Sequence, residues 1–241
     1  MNSNQQQHTQ DMSKYSLEIS FEGSAVDGEI DAEDLVHSLM GINRALFEAN
    51  KILNKGYHPL NIKVKSGFRQ GSFQLDLEIL QSFTQWATTF LSDEKTYSAQ
   101  DIAKFIGLSL EKAVTLIKVL SWLKGKIFTC KKSNSGSFIL SSDDRTLEVS
   151  YEVFELMNSK DVRKSIEAMV SPLKKKGIDS IKYTDKKTGK STSITKNDIA
   201  GLELKFCEED IETAKNTSEK NIIVVTPSFE ESYVWRVFDG E

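Results

Sequence analysis

Ser98–Leu140 reads SAQDIAKFIGLSLEKAVTLIKVLSWLKGKIFTCKKSNSGSFIL, and its punctuation decides how the rest of the chain is read. Ser98 with Asp101 at the third helical position is a helix-start pair, hydroxyl and carboxylate each placed to satisfy a backbone N–H of the first turn. Ile102, Ala103, Phe105 and Ile106 form the apolar side of that helix. Gly107-Leu108-Ser109 turns the chain, Ser109 is placed to cap a second helix, and Gly125 ends it. Ile127–Lys132 and Ser137–Leu140 then flank Asn134-Ser135-Gly136, a combination that favours a hairpin.

Small Ala103 lets the second helix pack close, Gly107 supplies an unusual backbone angle, and Leu116 and Leu120 anchor the second helix to the core. This outline resembles a winged helix-turn-helix. The resemblance implies DNA contacts from Lys112, Thr115 and Lys118 on the second helix and from Lys131 and Lys132 on the hairpin, with Lys126 nearby. The composition of the second helix points elsewhere. Leu110, Val114, Leu116, Ile117, Val119, Leu120, Trp122 and Leu123 cover most of its circumference, and it has no arginine to read bases. A helix apolar nearly all round is buried or waits for a partner, so Val114, Ile117 and Trp122 form a candidate interaction surface.

Composition narrows the classes. The chain has 241 residues, 39% apolar and 27% charged, with a formal net charge of −4, which fits a globular protein with no global attraction to nucleic acid or anionic lipid. Met1–Gln10 lacks the apolar core of a signal peptide. Two cysteines, Cys130 and Cys207, make no disulfide framework, which suggests a reducing, cytoplasmic setting. With His8, His37 and His58 they show no metal-ligand spacing, so no cofactor or metal is expected. No apolar run reaches the roughly 18 residues of a membrane span.

Upstream, 1–14 is polar and reads as a flexible tail. Tyr15, Leu17, Ile19 and Phe21 alternate with polar residues as in a half-buried strand. Asp31 opens a helix whose stripe is Leu35, Leu39, Ile42, Leu46 and Leu53, widened by Val36, Met40 and Phe47, with Gly56 as its stop. Leu60–Val64 and Phe73–Ile79 are strands joined by a hairpin at 67–71, and a short amphipathic helix with Phe83, Trp86 and Phe90 closes this unit.

Downstream, Leu147–Val149 is a further strand. A helical region, Tyr151–Lys176, should kink near Pro172. Ile178–Thr184 and Ser191–Thr195 form a hairpin around Asp185–Gly189. Glu208–Lys220 is a polar linker, and Asn221–Thr226 and Ser232–Phe238 are strands split by Pro227. The expected class is α+β: small antiparallel sheets with packed helices, divided into 15–95, a helix-turn-helix-like unit at 96–145, and 146–241. The terminal Asp239-Gly240 is a hairpin signal with no returning strand, so the expectation is either that the natural chain extends further or that the strand ends at a frayed terminus.

Other candidates have plainer explanations. Lys174–Lys176, Lys186, Lys187, Lys190 and Lys196 could meet phosphates, but only Tyr183 offers an aromatic face among them, which favours a solvated helix end and hairpin. His37 reads as structural and His58 as a loop residue. Asp27, Glu29, Asp31 and Glu33 serve a helix dipole as well as they would hold a cation. No nucleophile motif or phosphate loop is present.

Gly71-Ser72-Phe73, Leu120–Gly125 and Tyr233–Gly240 together resemble uncharacterised bacterial proteins, some carried on prophages or mobile elements. That resemblance implies a bacterial cytoplasm and no assigned activity. The leading functional reading is a non-enzymatic protein that acts by protein–protein association or self-association. The alternative is a DNA-binding regulator using the winged segment. A third class, an enzyme, would need convergent polar residues that no motif reveals.

Overall fold

The computed structural model describes residues 11–26, 29–55, 58–65, 73–83, 95–109, 113–199, 223–226 and 236–238. Strand β1 (Asp11–Glu22) pairs antiparallel on both sides, which makes it the centre of the main sheet. On one side lies β3 (Phe73–Phe83), itself paired with β2 (Leu60–Lys65). On the other lies β7 (Ser180–Asp185), paired with β8 (Ser191–Thr195), giving the order β2-β3-β1-β7-β8. The register sets Leu17 between Leu77 and Asp185, and Ile19 between Leu75 and Tyr183. The period-two pattern of β1 is thereby realised, and Leu17 and Ile19 are fully buried. The opposite face carries charge: Lys14 and Lys65 both pair with Glu78, and Lys186 pairs with Asp76.

Helix α1 (Ala32–Leu53) starts at Asp31, whose carboxylate accepts the Glu33 N–H. Its buried face differs from the stripe read in the sequence. Ser38, Gly41, Ile42, Ala45, Leu46 and Ala49 face inward, while Val36, Met40 and Phe47 face solvent. The cause is a close neighbour, helix α5 (Lys160–Val170). A Cβ on Gly41 would lie 2.2 Å from the Met169 nitrogen, and the Ser38 hydroxyl donates to the Met169 carbonyl at 2.8 Å. Small residues permit that approach, and Val36, Met40 and Phe47 lie on the outer side.

The helix-turn-helix region is α2 (Ala99–Ile106) followed by α3 (Leu116–Leu123). Ser98 and Asp101 form the expected capping box, and Gly107 is left-handed with φ 109°. The second helix, however, is capped by Thr115 rather than Ser109, whose side chain is buried in the turn. The three-stranded sheet β4 (Thr129–Lys132), β5 (Phe138–Ser142) and β6 (Arg145–Val149) supplies the hairpin and the further strand. Phe138 stacks on Phe154 with centroids 3.9 Å apart, tying this sheet to α4 (Tyr151–Asn158).

The region expected as one kinked helix is instead α4 and α5, separated at Ser159, which caps α5 through the Val162 N–H. Pro172 sits in a single 3-10 turn, Ser171–Lys174, beyond the end of α5. A short α6 (Lys196–Ile199) follows β8. Strand β1 also takes in residues 11–14, assigned above to a tail.

The fold class is α+β. The boundaries drawn at 95 and 145 cut across the main sheet, because β7 from the last third hydrogen-bonds to β1 from the first. The compact units are Met1–Lys205 and Phe206–Glu241, the second containing β9 (Ile223–Thr226) paired antiparallel with β10 (Arg236–Phe238). Phe83, expected to begin a closing helix, ends β3 instead, and the rest of that helix, the Gly56 stop and the 208–220 linker fall outside the described residues.

A buried amide network fixes the helix-turn-helix region to the sheet. Asn54 donates to the Tyr97 carbonyl at 2.9 Å and accepts the Tyr97 N–H at 2.9 Å. Gln81 of β3 donates to the same carbonyl at 3.1 Å and accepts the Ala99 N–H at 2.8 Å. Asn50 donates to the His58 carbonyl at 2.8 Å, so His58 is a loop residue but a buried one. Satisfied in this way, the polar side chains avoid the cost of buried unpaired groups and specify one arrangement.

Candidate functional site

Among the described residues, those expected to contact DNA have separate surroundings. Thr115 is 4% exposed, and its hydroxyl accepts the Lys118 N–H at 3.4 Å, closing the first turn of α3. Lys118 is exposed, with its ammonium 3.5 Å from the Ala113 carbonyl. Lys131 and Lys132 are exposed on β4 but, being consecutive in a strand, point to opposite faces. Lys126 is paired with Asp143 at 2.7 Å. Lys112 lies outside the described residues.

The apolar surface expected on α3 is largely consumed within the chain. Leu116, Ile117, Val119, Leu120 and Leu123 are buried, against elements that include α2, α4 and α6. Val114 and Trp122 are half-buried, and the Arg145 guanidinium lies 5.1 Å from the Trp122 ring centre. Of the three residues proposed for interaction, Ile117 is therefore removed by burial.

Beside this region a cleft of about 290 Å³ runs from Gly107 and Ser109 across Lys118 and Trp122 to Thr192 and Asp198. It is rich in hydroxyls, but its acid and its best-placed alcohol already serve local caps. The Asp198 carboxylate accepts the Thr195 N–H at 2.8 Å and the Thr195 hydroxyl at 2.7 Å, and Thr115 caps α3.

The strongly shifted ionisable groups are also structural. Burial raises the Glu152 carboxyl, but hydrogen bonds from Lys95 and Tyr97, each 2.7 Å, outweigh it and hold the group at about 2. Burial pushes the Tyr15 phenol up to about 12, and buried Tyr183 is raised as well. Part of the basic stretch is engaged in ion pairs: Lys175 with Asp34 at 2.8 Å, Lys174 with Glu167 at 3.2 Å and Lys196 with Asp179 at 3.5 Å.

Three of the six exposed large apolar side chains among the described residues lie on α1. Val36, Met40 and Phe47 are 51%, 46% and 52% exposed. At 100° per residue the three lie within about 40° of one another, in a single stripe along the helix. A groove of about 400 Å³ runs beside it, walled by His37, Arg44 and Glu48 of α1 and by Asp161 and Lys164 of α5. His37 is thus an exposed groove residue rather than a core one. The sequence carried a signal for this surface. The apolar residues of α1 fill two adjacent stripes, more than one core-facing stripe requires.

The chain matches no protein-family model, no curated protein and no solved structure. Among the described residues, no helix is long and apolar enough to cross a membrane, and no three His, Cys, Asp or Glu side chains cluster as a metal site.

Proposed function

We propose that this protein acts by protein–protein association, through the outer face of α1 rather than through α3. One observation carries the reading: three large apolar side chains stand about half exposed in one stripe of a 22-residue helix whose other face is packed closely on α5. Exposing them costs free energy that a partner surface would recover, at roughly 25 cal/mol per Å² of apolar area covered. The surrounding charges, Arg44, Glu48, Asp161 and Lys164, form the polar rim usual for such a surface.

A photo-crosslinking amino acid at position 40, compared in cells with the same group at position 63 on the exposed edge of β2, tests this reading. The expected result is a discrete adduct from position 40 that disappears when Val36 and Phe47 are changed to serine. Equal labelling from both positions, or an adduct indifferent to those serines, overturns it. Sedimentation with random duplex DNA addresses the winged-helix alternative: a complex that dissolves as salt rises, and weakens with Lys118→Ala, Lys131→Ala and Lys132→Ala, would favour DNA binding.

A further inference from the structure

We propose that the partner of the α1 face is a second copy of this chain, docked antiparallel about a two-fold axis passing beside Ile42. The inference rests on the association reading and names its partner. It comes from the arrangement of the stripe. Glu33 lies near the start of α1 and Lys51 near its end, both exposed and both on the same side as the apolar residues. At 100° per residue they lie within about 60° of Val36, Met40 and Phe47. Ile42 is halfway between Glu33 and Lys51, and the midpoint of Val36 and Phe47 falls beside it, between Gly41 and Ile42.

A two-fold contact requires one surface to complement itself. Reversing α1 about that shared midpoint does this. Val36 of each copy meets Phe47 of the other, and the two Met40 side chains lie beside the axis with Asn43. Glu33 of each copy meets Lys51 of the other at both ends of the contact. A parallel pairing would set Glu33 on Glu33 and Lys51 on Lys51, so charge selects the antiparallel arrangement. Within its own helix Lys51 has a loose partner, Glu48 at 3.9 Å, and its side chain remains 66% exposed. A helix of this length spans about 33 Å. One such helix pair covers less than the roughly 800 Å² per partner of a standard stable interface, so the dimer is reversible.

The test is sedimentation of the purified full chain across concentration, with charge reversals at the two ends. Circular dichroism confirms that each surface variant folds. Glu33→Lys and Lys51→Glu each place like charges opposite one another twice, and each is expected to weaken the dimer about ten-fold. An equimolar mixture of the two variants restores both attractive pairs and should recover wild-type association. A mixture no tighter than either variant alone overturns the antiparallel two-fold. A wild-type monomer at every concentration overturns self-association. In that case, adducts from position 40 to a different protein would still uphold the association reading, whereas absence of adducts would remove both.

Discussion

Helices α1 and α3 treat apolar surface in opposite ways. Of the eight residues of α3, five are buried, against neighbours that include α2, α4 and α6. The 22 residues of α1 pack mainly on α5, with α2, α4, β2 and the 3-10 turn also in contact, and turn small side chains toward α5. Ile42 and Leu46 are buried with them, but Val36, Met40 and Phe47 are left outside. How much of a helix is apolar therefore says less about its exposure than which of its faces the neighbours cover and how close they come. A short helix enclosed by its own chain can be apolar nearly all round without being a docking site. A long amphipathic helix can be well packed and still present one.

Substitutions on the two helices should separate stability from association. Leu120→Ala, on the enclosed helix, should show the largest effect, a loss of about 2–5 kcal/mol in urea unfolding. A loss below about 1 kcal/mol would mean that α3 is less enclosed than described. Gly41→Ala, on the seated face of α1, should cost about 1–3 kcal/mol, because the added carbon meets the Met169 backbone. An unchanged thermal midpoint would mean that α1 and α5 separate easily.

Glu152→Gln should flatten the acid limb of the stability curve. The folded carboxyl is held near 2, below its ordinary 4.5, so its contribution is present above about 4.5 and is lost as pH falls toward about 2. Identical acid titrations of the variant and the wild type would remove Glu152 as a source. Thr115→Ala should cost about 1 kcal/mol by removing the α3 cap. Ser109→Ala should not have that capping effect, which reverses the expectation from sequence. Met40→Ser should change stability by less than about 0.5 kcal/mol while weakening association.

What was legible in the sequence was mostly local. The alternation of β1, the Asp31 start of α1, the Ser98–Asp101 box and the hairpin at Asn134–Gly136 depend on residues a few positions apart, and each is found. The misread features depend on distant chain. The seated face of α1 is set by the closeness of α5, and an average of side-chain hydrophobicity has no means of ranking Ser38 and Gly41 above Val36 and Met40. Pairing of β7 with β1 is likewise set by tertiary context. Ser109 and Thr115 are both plausible caps, and the choice between them depends on where the turn after Gly107 ends.

The central position of β1 also has a consequence in time. The Leu17–Asp185 register joins residues separated by most of the first compact unit. At about 5–20 residues per second of ribosomal synthesis, roughly 8–35 seconds pass between the making of β1 and the making of β7. Through that interval one edge of β1 lacks its final neighbour, with Leu17 and Ile19 on the same strand. The nascent chain therefore has an aggregation-prone period that the finished molecule does not. Slower synthesis lengthens that interval, so a chaperone that shields the strand should raise soluble yield most when synthesis is slow.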